Sequence, residues 1–93
     1  MFLGNKHHTV GDTRKRTVDY NEYLPEGSKL LTVTVTSSSA SATVSGAAIV
    51  EGRRVVFYTN GGVLNEVFTA TVQVTTSDGE TINDTVVFTV IAP

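Results

Sequence analysis

Hydrophobic and polar residues alternate with a period of two along most of this chain, most clearly in two arms of its second half. From Leu64 to Thr76, Phe68, Ala70, Val72 and Val74 alternate with Thr69, Thr71, Gln73 and Thr75. That spacing gives one strand an apolar face and a hydroxyl face. From Thr81 to Ile91, Val86, Phe88 and Val90 form an apolar face, and Val87, Thr89 and Ile91 a mixed one. Ser77-Asp78-Gly79-Glu80 lies between the arms, and its Asp-Gly pair tolerates the positive φ of a tight turn, so the two arms form a β-hairpin.

The same period recurs earlier. Arg14 to Tyr20 reads as a strand with Val18 and Tyr20 on one face. In N-E-Y-L-P-E-G, residues 21–27, Pro25 holds Leu24 in extended geometry and Glu26-Gly27 makes a turn, so Tyr20, Tyr23 and Leu24 are expected to plug one end of the fold. Lys29 to Thr36 alternates with Leu31, Val33 and Val35 inward and Thr32, Thr34 and Thr36 outward. After the Ser37-Ser38-Ser39 loop, alternation resumes at Ala40, Ala42 and Val44. Gly46 is expected to break that strand, and Ala48-Ile49-Val50 to form another. Arg53 to Thr59 is apolar on both sides at Val55-Val56-Phe57, which predicts a central strand, and Asn60-Gly61-Gly62 a turn. Residues 1–13 carry two glycines and no periodicity, which predicts an extended N-terminal arm ahead of a domain at 14–93. Phe2 and Leu3 at its tip either enter a partner's pocket or fold back onto the edge of the sandwich. Deleting the arm is expected to leave the domain folded but unable to join a larger particle.

About seven short strands at turn spacings of 8–12 residues, with no window of helical periodicity, predict a small all-β, immunoglobulin-like sandwich. Composition agrees: of 93 residues, fifteen are valine and fifteen threonine, both strand formers. There is no cysteine, hence no disulfide framework or thiolate site, and no apolar run long enough to span a membrane. Met1 to Gly4 is too short for a signal-peptide core, so export is not expected.

Charge sharpens the picture. Residues 1–16 carry Lys6, Arg14, Lys15 and Arg16 against Asp12, whereas residues 17–93 carry three cations against eight acids. A basic arm on an acidic body points to an acidic partner or a neighbouring copy of the same chain.

Catalytic and metal chemistry find little support. Adjacent His7 and His8 point opposite ways in extended backbone and do not share an ion. Asp78, Glu80 and Asp84 lack the dense spacing of a calcium loop. No histidine lies near a nucleophile motif such as G-x-S-x-G, so no enzyme, metal or cofactor is expected. The Arg14-Lys15-Arg16 run is short and the body acidic, which argues against nucleic acid. Asn83-Asp84-Thr85 fits a glycosylation pattern, a chance match without export. What remains is a binding or structural module.

The stretch D-Y-N-E-Y-L-P-E-G (Asp19 to Gly27), the strand ending Y-T-N-G-G (Tyr58 to Gly62) and the closing hairpin resemble a group of short bacteriophage proteins, described as fibre–tail adaptor or Ig-like virion proteins. The segments H-H-T-V-G-D-T-R (His7 to Arg14), G-G-V-L-N-E (Gly61 to Glu66) and N-D-T-V-V-F-T-V-I-A-P (Asn83 to Pro93) are similar to one subgroup. Tyr23 stands where that group often has tryptophan. The resemblance covers most of residues 7–93. It implies a multicopy virion component, assembled in the host cytoplasm, that joins portal or tail parts to fibres. Expected partners are other virion proteins and copies of itself, with no membrane and no nucleic acid. The candidate contact residues are Phe2, Leu3, Lys6, Arg14, Lys15, Arg16, Tyr20 and Tyr23. Two other readings follow from the same residues: a capsid decoration or cement protein, and a carbohydrate-binding adhesion module using Tyr20, Tyr23 and Tyr58.

Overall fold

The computed structural model describes residues 2–93. Seven strands follow in order: β1 (Phe2–Thr9), β2 (Thr13–Asp19), β3 (Leu30–Ser37), β4 (Ala42–Val50), β5 (Arg54–Gly61), β6 (Val67–Thr76) and β7 (Thr81–Ile91). They form one sheet in the order β1-β7-β6-β3 and a second in the order β2-β5-β4. All pairings are antiparallel except β1 with β7, which is parallel. The inward residues of both sheets meet in one core, where Tyr20, Val55 and Phe57 face Phe68, Val72 and Phe88. The Phe68 and Phe88 rings stack at 5.1 Å.

The hairpin is present, with β7 spanning the expected residues and β6 beginning at Val67 rather than Leu64. Its turn closes through Thr76 N–H to Glu80 O at 2.9 Å and Gly79 N–H to Thr76 O at 3.1 Å, with Gly79 at φ 82°. Its inward residues are buried apart from half-buried Ile82, and outward Thr69, Thr71, Thr75, Thr85 and Thr89 are half-buried. The outward hydroxyls continue onto β3, where Thr32 and Thr75 hydroxyls lie 2.6 Å apart.

Four expectations need correction. Residues 2–9 do not stand off as an arm: they form β1, an edge strand registered along β7 from Phe2↔Thr85 to Thr9↔Ile91, which pairs the backbone groups on one side of the strand and buries His8. The fold-back alternative describes them, while Met1 lies outside the described residues. On β3 the inward leucine is Leu30, not Leu31, because the register shifts between Leu30 and Thr32 and leaves Leu31 60% exposed. β4 runs unbroken through Gly46, since the irregularity between Ser45 and Ala48 absorbs that glycine's φ of 63° without ending the strand. Asn60 and Gly61 extend β5, so the turn starts later, at Gly62. A Cβ there would meet Val90 at 3.0 Å, and φ is +98°, so only glycine fits without strain. β5 is central, as its two-sided apolar run requires.

The free edges of β1 and β2 belong to different sheets but border the same flank of the molecule. That juxtaposition creates the site.

Candidate partner-binding site

Between β1 and β2 the sheets part to leave a cleft of about 410 Å³. Its floor is apolar: Phe57 from β5, Val86 and Phe88 from β7, Leu3 from β1 and Val18 from β2. Lys6, Lys15 and Arg16 supply cations around it, and Asp19 supplies one carboxylate. Strand geometry explains the gathering. Lys6 pairs with Phe88 and Arg16 with Phe57, so both stems lie on the inward face of an edge strand; Lys6 is exposed, whereas the Arg16 head turns across to the other sheet.

Arg16 ties the two sheets together beside the cleft. Its Nη2 donates to His7 O at 3.0 Å and to His8 Nδ1 at 3.2 Å, and its Nε donates to Thr59 Oγ1 at 3.1 Å. The guanidinium carbon lies 4.9 Å from the Phe88 ring centroid, a cation–π contact. Burial, and secondarily Arg14, pull Arg16 below its ordinary pKa. His8 completes the network. Its Nε2–H donates to Gly61 O at 3.1 Å, which leaves Nδ1 to accept from Arg16 and from the Thr59 hydroxyl at 3.1 Å. This neutral tautomer is the only one compatible with a guanidinium donor at Nδ1. Pairing of β1 to β7 is thus reinforced by side-chain bonds to β2 and β5.

The candidate contact residues divide. Leu3, Lys6, Lys15 and Arg16 converge on the cleft. Phe2 is 56% exposed at the start of β1. Arg14 is exposed and lies 3.4 Å from Asp12 rather than in the cleft. Tyr20 is a core residue at 1% exposure, its hydroxyl donating to buried Asp84 Oδ2 at 2.6 Å. Burial first, and then the Asp84 carboxylate, raise its phenol far above the ordinary tyrosine value.

Tyr23 departs from the expected lid. Tyr20 and Leu24 plug the end of the fold, but Tyr23 projects from it, 53% exposed, with its ring 6.2 Å from that of Tyr20. The loop holding it is fixed from below by Arg53. That side chain donates to Asn21 Oδ1 at 2.5 Å, Asn21 O at 2.9 Å, Leu24 O at 3.0 Å and Ser28 O at 3.0 Å. The opposite end of the fold is closed by Glu66, which accepts from the Ser39 and Ser41 hydroxyls and from Val63 N–H; these bonds, that of Ser39 foremost, lower its pKa.

The three tyrosines form no shared platform, because Tyr20 is interior and Tyr58 pairs with Lys15 and Ser45 in the smaller sheet. No group of three or more His, Asp or Glu side chains is placed to hold a metal among the described residues. Sequence reasoning missed His8, Asp84 and the cleft floor. Asp84 was visible in principle, since Ile82, Asp84, Val86, Phe88 and Val90 share one face of β7 and a polar residue within an inward row needs a buried partner.

No curated protein matches the chain. The family model described as podophage GP4 fiber-tail adaptor protein gp77 matches residues 8–89, a span that includes β2 to β6 entire, the last two residues of β1 and β7 as far as Thr89. The chain belongs to this family of phage fibre–tail adaptor proteins.

Proposed function

We propose that the chain is a structural virion protein at the tail vertex, docking onto the portal–tail machinery through its β1–β2 flank and linking it to fibres. The observation that carries this reading is the cleft: Lys6, Lys15 and Arg16 gathered over an apolar floor on a chain of net charge −2. Interfaces of this kind combine an apolar centre that supplies affinity with charges that set register and partner choice. The edges of β1 and β2 add backbone groups able to accept a partner strand. Phe2, exposed at the end of the same flank, extends the contact surface.

The seven strands, split four and three with the first lying parallel to the last, support an immunoglobulin-like arrangement. The partners in this reading are other virion proteins and neighbouring copies, and the cysteine-free chain suits assembly in a reducing host cytoplasm.

Electron microscopy of particles carrying a gold-labelled affinity tag on this chain tests the placement. Label is expected at the tail vertex. Label spread over the capsid shell would replace this reading with that of a decoration protein.

A further inference from the structure

We infer that the cleft between β1 and β2 receives the 21–27 loop of a second copy of this chain, with Tyr23 seated against Leu3 and Val18 and Glu22 and Glu26 against Lys6 and Lys15. The inference rests on the reading of the β1–β2 flank as a docking surface: a neighbouring copy fills the cleft, and the strand edges and Phe2 beside it face the portal–tail machinery.

Charge complementarity selects a second copy. The cleft carries three cations against Asp19, so its occupant is acidic and presents an apolar anchor. This chain owns such a segment. Glu22, Tyr23 and Glu26 are all exposed on one short loop, and neither glutamate makes an ion pair among the described residues. The other exposed apolar side chains next to acids are less suited. Val50 adjoins Glu51, which bonds Arg54 at 2.7 Å, and Val63, Leu64 and Val67 lie near Glu66, whose carboxylate is held by Ser39, Ser41 and Val63 N–H.

Rigidity points the same way. The four Arg53 bonds, with Tyr23 N–H to Tyr20 O at 3.0 Å and Ser28 N–H to Pro25 O at 3.0 Å, hold the loop in one shape before any contact forms. A preorganised loop loses little conformational freedom on docking. A tyrosine half-exposed on such a support is the kind of anchor that dominates small interfaces.

Sedimentation velocity of the purified full-length protein over a concentration series, at low and high salt, tests this with charge-reversed variants. The wild type is expected to self-associate, more weakly at high salt. Lys6→Glu/Lys15→Glu and Glu22→Lys/Glu26→Lys are each expected to weaken association alone by about a hundredfold, from like charges brought together. Mixing the two variants is expected to restore association, since each loop then meets a cleft of opposite sign. Tyr23→Ala, a surface change that keeps the fold, is expected to weaken association by roughly tenfold or more. A wild type that stays monomeric at low salt overturns the inference, as do variants that associate normally or a mixture that fails to recover. A monomeric wild type that still enters particles would overturn the self-docking while leaving the adaptor reading intact.

Discussion

Deleting residues 2–9 is expected to lower the midpoint of thermal unfolding by roughly 15 °C or more, the scale of a loss of about 3–5 kcal/mol in a domain of this size. The deletion strips β7 of its parallel partner from Thr85 to Ile91. It removes His8, 1% exposed and bonded to Gly61, Thr59 and Arg16, and it takes away Leu3 from beside Val86 and Phe88. Arg16 then loses two of its three acceptors. The bared edge of β7 is also a template for unwanted strand pairing, so the shortened chain is expected to aggregate more readily. Calorimetry of the deletion beside the wild type measures the effect. An unchanged midpoint would return residues 2–9 to the status of a dispensable arm.

Tyr20→Phe is expected to cost about 2–3 kcal/mol, the scale of a hydrogen bond to a charged group that water cannot replace. The ring stays, so packing beside Leu24 and Val55 is kept and the loss reports the Tyr20–Asp84 bond. The same pair sets a pH dependence. Folding raises the Tyr20 pKa, so its contribution is complete below the ordinary tyrosine value near 10. Above that pH the unfolded phenol ionises while the folded one does not, and stability falls by up to about 1.4 kcal/mol per pH unit. Urea unfolding between pH 8 and 11.5 is expected to show this decline in the wild type and a shallower one in Tyr20→Phe. Parallel curves would refute the coupling.

The parts of the fold legible in the sequence are those where one face is dry and the other wet. β6 and β7 are of this kind, and their turn announces itself through Asp78-Gly79. β5 was recognisable as central because Val55, Val56 and Phe57 leave no polar face. β1 escaped because its inward residues, Lys6 and His8, are polar, and His8 is bonded to Arg16 of β2 and to Thr59 and Gly61 far along the chain in β5. A strand whose inward face is completed by another sheet shows no alternation of its own. Leu30 and Leu31 exchanged roles through a one-residue irregularity, and a slip of one residue turns every side chain over.

The site was legible in composition more than in geometry. The concentration of cations in residues 1–16 marks the flank, and Lys6, Lys15 and Arg16 meet there. What alternation along β2 alone does not show is that Arg14 turns toward Asp12 while Arg16 reaches His7, His8 and Thr59. The floor of Phe57, Val86 and Phe88 reads in sequence as ordinary core and is buried in the structure; the cleft lies above it, between half-buried Leu3 and Val18 on the two sheet edges. Tyr23 reads as a lid because it lies beside Tyr20 and Leu24, which are buried, although it is itself exposed. The bonds that shape its loop, from Arg53 to Asn21, Leu24 and Ser28 and from Tyr23 N–H to Tyr20 O, are not visible in the pattern of residues.

The central claim is that the β1–β2 cleft is the surface through which this adaptor enters the tail. The most direct test is the number of copies per particle, counted by quantitative mass spectrometry, when the only source of the chain is Lys6→Glu/Lys15→Glu protein shown to melt with the wild type. Incorporation is expected to fall by roughly tenfold or more; incorporation at the wild-type level would contradict the assignment.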